Sequence, residues 1–463
     1  MQAATYNFQT TKTIPVNVLL LFHIILGIGA AFIPFIAPVY IILFFGYSVL
    51  RILQYGNKDD YASYSVAYLV SYEMLFRMSK ETFVYEWGKY SVIVILAIAI
   101  IVDGNKRKWP VIPVLYFLLL LPSITQLHFN TVDTYRKDIS FYLSGPLSLA
   151  MSWIYYYNRK MTRADFKRLL LNIVLPIIAV IPFIILKLPK LTSDVFTGES
   201  SKALSGGFGP NQVSVILGYG FFVMCLAMLL KINIFFSRTF DFVVAFVFIW
   251  FGILTFSRGG VLTGIAAFIL STFIFIRSGK ATKDFARIFF GIVFFAIAGY
   301  FLWGVLNTIS DKSITERYVQ AATGKQIEGK HEKYDVSGRS IIAESDINNF
   351  FEHPILGSGP SGSMRERAKK AHSTLGAESH TEFTRLLGDH GIFGLADVLI
   401  LFGFLFKTFK SRDANNKIIM IGFATIALLT MTHADMRLAV AGVAYGMAFI
   451  DVNLEEHPLE RTR

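Results

Sequence analysis

Long apolar runs follow one another almost from end to end of this sequence. They lie near residues 16–32, 35–53, 64–78, 89–103, 109–124, 139–157, 167–187, 210–231, 239–256, 259–277, 285–306, 391–408, 416–432 and 436–450. Runs of this length suit a hydrocarbon layer, where only a helix or a closed barrel satisfies its own backbone polar groups. The run 64–78 contains Glu73 and Arg77 and fits a tilted or partial span, so roughly 12 to 14 transmembrane helices are expected. With 54% hydrophobic and only 16% charged residues, the chain carries more apolar surface than a water-soluble domain could hide. The expected fold is an all-α polytopic membrane protein. No internal repeat is evident by eye, which disfavours transporter folds built from duplicated halves.

The formal net charge is +12, a balance that nucleic-acid binders share. Here, however, the basic residues do not lie along one polar face. They gather in short clusters between apolar runs: Asn105 to Lys108, Asn158 to Arg168, Arg277 to Arg287 and Lys407 to Lys417. If the spans alternate, all four fall on one side, and an excess of Lys and Arg marks the cytoplasmic side. The segment from Asn307 to His390, the turn Gly206 to Asn211 and the stretch His433 to Arg437 then lie outside, and no nucleic-acid partner is expected. The single cysteine, Cys225, sits in an apolar run, which rules out an intrachain disulfide or a thiolate metal site. The N-terminal stretch has one lysine and no small-residue cleavage site after its apolar run, the pattern of an uncleaved first span.

Between the spans stands one long polar island, about Asn307 to His390, with five of the nine histidines: His331, His353, His372, His380 and His390. Loops this long are functional or disordered. Amphipathic patches such as Ile341, Ile342, Phe350 and Phe351 point to an ordered, water-facing, partly helical subdomain. Three parts follow: transmembrane helices in 1–306, a periplasmic loop subdomain in 307–390, and transmembrane helices with a short cytoplasmic tail in 391–463.

Charged side chains at the outer ends of spans are costly and mark function by default. Arg258, in LTFSRGGVLTG, sits where one span ends and the next begins. An arginine there can hold a phosphate through two parallel hydrogen bonds, and Gly259 and Gly260 would let the backbone turn tightly. In GGFGPNQVS, Pro210 opens a helix with Asn211 and Gln212 in its first turn, a place that favours anions. Arg339 opens an amphipathic helix that ends before the turn-rich HPILGSGP, whose glycines allow close approach to a ligand or another helix. His380 stands where the loop returns to the membrane, two residues before Glu382 and five before Arg385. A neutral imidazole there can take a proton from an incoming hydroxyl. Glu73, Arg77, Glu86 and Lys89 form a further group, with enough opposite charge to neutralise itself and with Arg77 and Lys89 as secondary candidates for binding substrate.

GPNQ before a span, SRGG between two spans, a large loop with GRSIIAESDINNFFEHPILGSGP, and HTEFTRLLGDHGIFGL leading into the last spans stand in a fixed order. Over roughly residues 190 to 450 the chain thereby resembles the O-antigen ligase and polysaccharide polymerase superfamily of bacterial integral-membrane glycosyltransferases. The resemblance implies a GT-C-like fold and glycan transfer from undecaprenyl diphosphate to a hydroxyl acceptor on the periplasmic face of the cytoplasmic membrane. It implies no metal, nucleotide sugar or other cofactor. Carried over by position, His380 is the general base, and Arg258 and Arg339 bind the diphosphate. By their own positions, Asn211 at a helix start and Arg385 after His380 are further candidates for binding it. Two fixed guanidinium groups can neutralise the leaving diphosphate as a divalent ion would, and the loop has no DxD-type acidic pair. A single base implies inversion at the anomeric centre, and no second carboxylate pair demands a retaining route. Glu382 is the candidate to orient the imidazole.

Three acceptors suit the same residues: the lipid A core for a ligase, a growing lipid-linked glycan for a polymerase, and a protein hydroxyl for a protein O-oligosaccharyltransferase. One long loop late in the chain favours the ligase over enzymes with two similar outer loops. A lipid-linked oligosaccharide flippase is the alternative of another class. It would use intramembrane charges such as Glu73 and Arg77 and needs no base in an outer loop.

Overall fold

The computed structural model describes residues 14–104, 110–127, 132–189, 202–279, 299–300, 304, 307–308, 336–371 and 378–455. The expected span 285–306 therefore falls almost entirely outside the described residues, as do most of the loop 307–335 and the segment 372–377. In chain order the helices are α1 (Val16–Phe32), α2 (Ile36–Tyr55), α3 (Tyr61–Met78), α4 (Trp87–Asp103), α5 (Val111–Leu120) and α6 (Val132–Tyr156). Then come α7 (Arg163–Lys187), α8 (Pro210–Leu229), α9 (Arg238–Leu254) and α10 (Arg258–Arg277). The last five are α11 (Val336–Glu352), α12 (Gly362–Ala371), α13 (Glu382–Ser411), α14 (Ala414–His433) and α15 (Val440–Met447). Two three-residue strands, β1 (Lys160–Thr162) and β2 (Asp451–Asn453), pair in parallel. The protein is an all-α polytopic membrane protein, in which six helices, α2, α7, α8, α10, α13 and α14, are long and apolar enough to cross a bilayer.

Burial separates inner from outer helices. Almost all of α8 is enclosed, whereas α2 and α13 turn most of their apolar length outward. Phe32, Leu43, Leu53, Leu399 and Phe406 are among the large apolar side chains left exposed, a surface that lipid rather than water can cover. The inner contact is made with small residues. A Cβ at Gly260 would stand 2.2 Å from the Ser214 carbonyl carbon, and one at Gly218 would stand 2.1 Å from the Gly260 oxygen, so α8 and α10 touch backbone to backbone. Gly259 and Gly260 are helical residues in α10. They serve close helix packing and not the tight turn expected of them.

The links between helices sort the connections into two ends. At one end Arg159 binds Asp60 and, at 2.5 Å, Asp103. Arg412 donates to Phe449 O at 2.7 Å and to Asn158 Oδ1 at 3.0 Å, and Arg163 to Lys231 O at 2.7 Å. The described parts of the clusters at 158–168 and 407–417 thus share one end, as alternating spans require. The residues singled out as functional gather at the other end.

Two elements depart from the spans expected. The run 436–450 is realised as an irregular stretch, 434–439, in which Asp435, Met436, Leu438 and Ala439 are buried, followed by the eight residues of α15. Eight residues rise about 12 Å, too little to cross a membrane. Non-helical backbone at such depth is tolerated when protein surrounds it. The other departure is α13, which begins at Glu382, ahead of the expected start at 391, and breaks at Gly391 (φ 60°). The turn 353–360 is strapped across this break. Ile392 N donates to Pro354 O at 2.8 Å, Ser358 N to Gly388 O at 3.1 Å and Gly359 N to Asp389 O at 3.0 Å. A Cβ at Gly357 would meet the Asp389 carbonyl carbon at 2.3 Å, so what the glycines of HPILGSGP approach is another helix.

Candidate functional site

The start of α8, the start of α10 and the end of α14 meet at one point. Asn211, in the first turn of α8, donates from Nδ2 to His433 O at 3.1 Å and accepts on Oδ1 from the Ser257 hydroxyl at 2.7 Å. Ser214 Oγ lies 3.2 Å from Ser257 Oγ and accepts from Gly260 N, also at 3.2 Å. The His433 ring rests against Gly259, where a Cβ would stand 2.2 Å from its Cδ2. The Asn211 side chain, expected to help bind an anion, here links Ser257 and His433 and so latches the starts of α8 and α10 to the end of α14. Arg258, half-buried, opens α10 beside this latch.

On the other flank of the same helix end lies the His380 turn. Thr381 Oγ1 donates to Thr432 O at 3.1 Å, one residue from the carbonyl that Asn211 binds. Arg437 reaches the turn from the irregular stretch: its Nη2 is 3.3 Å from a Glu378 oxygen and 3.5 Å from Ser379 O. His380 itself is half-buried. Behind the turn, Asp346 of α11 accepts from Ser379 Oγ at 3.1 Å and from Thr384 Oγ1 at 2.9 Å, and is paired with Arg367. Arg339 lies in α11, seven residues before Asp346; the described part of the structure does not include its side chain.

Beside the turn, acids outnumber bases. Arg385 is buried and pairs with Glu382 through Nε, to Oε2 at 3.1 Å, and through Nη2, to Oε1. Asp389 lies 3.7 Å and Asp435 3.6 Å from the same guanidinium, and the Tyr142 ring 5.3 Å. One guanidinium is thus shared among three carboxylates, and Arg385, expected as a diphosphate-binding residue, stands as the buried centre of this acidic group. Glu382 likewise has its carboxylate taken up by Arg385, a partner other than the imidazole expected of it.

Arg77 and Lys89 are also engaged. Arg77 holds Glu73 at 2.7 Å, donates to Arg437 O at 2.9 Å, and stacks on Tyr85 at 4.2 Å. The second Glu73 oxygen takes the N–H of Ala439 at 2.9 Å. Lys89 is paired with Glu86 and buried. Lys89, Phe141, Tyr142, Arg385, Asp435 and Arg437 line a narrow cleft with room for about one water. Within the self-neutralising group expected from Glu73 to Lys89, Glu73 and Arg77 are struts that hold the irregular stretch 434–439, while Lys89 and Glu86 neutralise each other.

Sequence reasoning assigned no role to Asp346, Asp435 or Arg437. The signal for the last two was present, since HADMR puts an acid and a base directly after an apolar run. Asp346 gave no such signal, because an acid in an amphipathic loop helix is ordinarily solvated.

Residues 242–399, from within α9 to the membrane half of α13, match the model of the O-antigen ligase family. The match supports membership of that family and takes in Arg258, Arg339, Asp346 and His380. No curated protein matches the chain.

Proposed function

We propose, with the O-antigen ligase domain as the premise, that the protein transfers a glycan from undecaprenyl diphosphate to a hydroxyl of the lipid A core. The end of the bundle that carries the site faces the periplasm in this proposal, and the basic end the cytoplasm. Neutral His380 accepts the proton of the acceptor hydroxyl while its oxygen attacks the anomeric carbon. The bond from that carbon to the diphosphate oxygen breaks, the anomeric configuration inverts, and the electron pair leaves with the diphosphate. Arg258 and Arg339 bind that oxyanion through paired N–H donors. Asn211, Arg385 and Glu382 shape the site without touching the reacting atoms.

One observation carries this reading. Thr381, next to His380, and Gly259, next to Arg258, both lean on the end of α14, at Thr432 and His433. A base and a phosphate ligand must be held on adjacent supports if one substrate is to meet both. The test uses the purified protein in lipid nanodiscs with an undecaprenyl-diphosphate-linked glycan, lipid A core and excess chelator. Glycosylated core and free undecaprenyl diphosphate are expected. Extension of a second donor molecule instead would make the protein a polymerase, and an unconsumed donor would refute the proposal.

A further inference from the structure

Ser379 and Thr384 straddle His380 in the chain, and both donate their hydroxyls to one carboxylate on a different helix, Asp346 of α11. That carboxylate is fully buried and is also the ion-pair partner of Arg367, whose Nη2 in turn donates to Ser379 Oγ at 3.2 Å. Charge-assisted bonds of this kind are stronger and more directional than neutral ones, and three of them converge on Asp346 from α12, the turn and the first helical turn of α13. The opposite side of the His380 turn is held by Thr432 and Arg437, which belong to the membrane bundle. Asp346 ties the turn to α11, and Asn349, one helical turn on, ties α11 to α13 through Gly388 O at 2.8 Å. On the same helix, two turns or about 10 Å earlier, stands Arg339.

We propose that Asp346 is a positioning residue that sets the spacing between the His380 turn and the start of α11, and so between the base and one diphosphate arginine. This rests on the role given to His380 above. Asp346 is sealed from solvent by Arg367, Ser379 and Thr384, so it acts through the turn and not on the substrate. Shifts of about 1 Å in such a spacing cost on the order of 10²-fold in rate, which is why a buried carboxylate with three converging donors matters more here than a flexible loop contact would.

The test compares Asp346→Asn and Thr384→Val with wild type in nanodiscs. Asn keeps the shape but cannot accept on its amide nitrogen, and Val removes a single hydroxyl at nearly constant volume. Three quantities are read: kcat and donor KM, the thermal unfolding midpoint, and the rate at which diethyl pyrocarbonate modifies His380, followed by mass spectrometry of its peptide. Asp346→Asn should lower kcat by up to about 10²-fold, the cost of a misplacement near 1 Å, with donor KM little changed and faster modification of His380. Thr384→Val should move both readouts in the same direction by less, at the wild-type midpoint, and it carries the test if Asp346→Asn does not fold. Wild-type kcat in both variants, a raised KM at unchanged kcat, or a lowered kcat with unaltered His380 modification would each overturn the proposal. A fully active His380→Ala protein would remove His380 as the base, yet the modification rate would still report whether Asp346 holds the turn, so the two failures are distinguishable.

Discussion

Replacing Gly260 by alanine should push apart the two helices whose first turns carry Asn211 and Arg258. The added Cβ would stand 2.2 Å from the Ser214 carbonyl carbon, 2.2 Å from Val215 N and 2.4 Å from Ser214 O. All three are backbone atoms of α8, so no rotamer change relieves the clash, and the helices would have to part by roughly 1 Å to restore van der Waals contact. Overpacking of this kind costs about 1–3 kcal/mol, partly offset by the better helix propensity of alanine, about 1 kcal/mol. The larger effect is on chemistry, because the Gly260 N–H bond to Ser214 and the Ser257 bond to Asn211 sit on the same interface. A displacement near 1 Å there should lower transfer on the order of 10²-fold. Gly259→Ala meets the His433 ring instead, a side chain that can move, and should cost less. Gly403→Ala, with nothing within 4 Å of the new methyl, is the control: it should leave turnover unchanged and the midpoint at or above that of wild type, through helix propensity alone. Thermal unfolding in nanodiscs and release of undecaprenyl diphosphate read the series. Wild-type midpoint and turnover in Gly260→Ala would refute the backbone contact and the link from it to the site.

The Glu73–Arg77 pair is wholly buried, so Glu73→Leu should strand a cation and destabilise by about 3–5 kcal/mol, while the double change with Arg77→Met should recover most of the loss. An unfolding midpoint of the single variant equal to wild type would contradict the strut role. For topology, Cys225 is buried and gives little background. Cysteine in place of exposed Lys369 should react with an impermeant thiol reagent added outside spheroplasts, and cysteine in place of exposed Lys410 should not; the reverse pattern would invert the orientation.

Much of the architecture is legible in the sequence because lipid leaves few choices: an apolar run of 17 residues such as Val16–Phe32 has to be a helix. Arg159 and Arg412 bring the described parts of two of the four basic clusters to one end, as the alternation of spans requires. The order GPNQ, SRGG and HTEF likewise anticipates the cluster at the end of α14. What a linear pattern cannot carry is which polar group meets which. Arg385 looks like a free cation until Asp435, 50 positions away, is folded against it. Asn211 looks like an anion cap until Ser257 and His433 occupy it. The short α15 escapes because an irregular stretch buried by its neighbours has the same apolar composition as a span.

The most direct test is donor binding and transfer measured together on His380→Ala, Arg258→Ala and wild type, at equal amounts of folded protein. His380→Ala should bind the undecaprenyl-diphosphate donor normally and transfer about 10²- to 10⁴-fold more slowly, as loss of a general base does. Wild-type transfer should fall as the pH drops through imidazole protonation, because the charged ring cannot accept the acceptor's proton. Arg258→Ala should weaken donor binding, with lysine restoring it only in part for want of the planar fork. Full turnover by His380→Ala, with a pH profile like that of wild type, would contradict the assignment of the base.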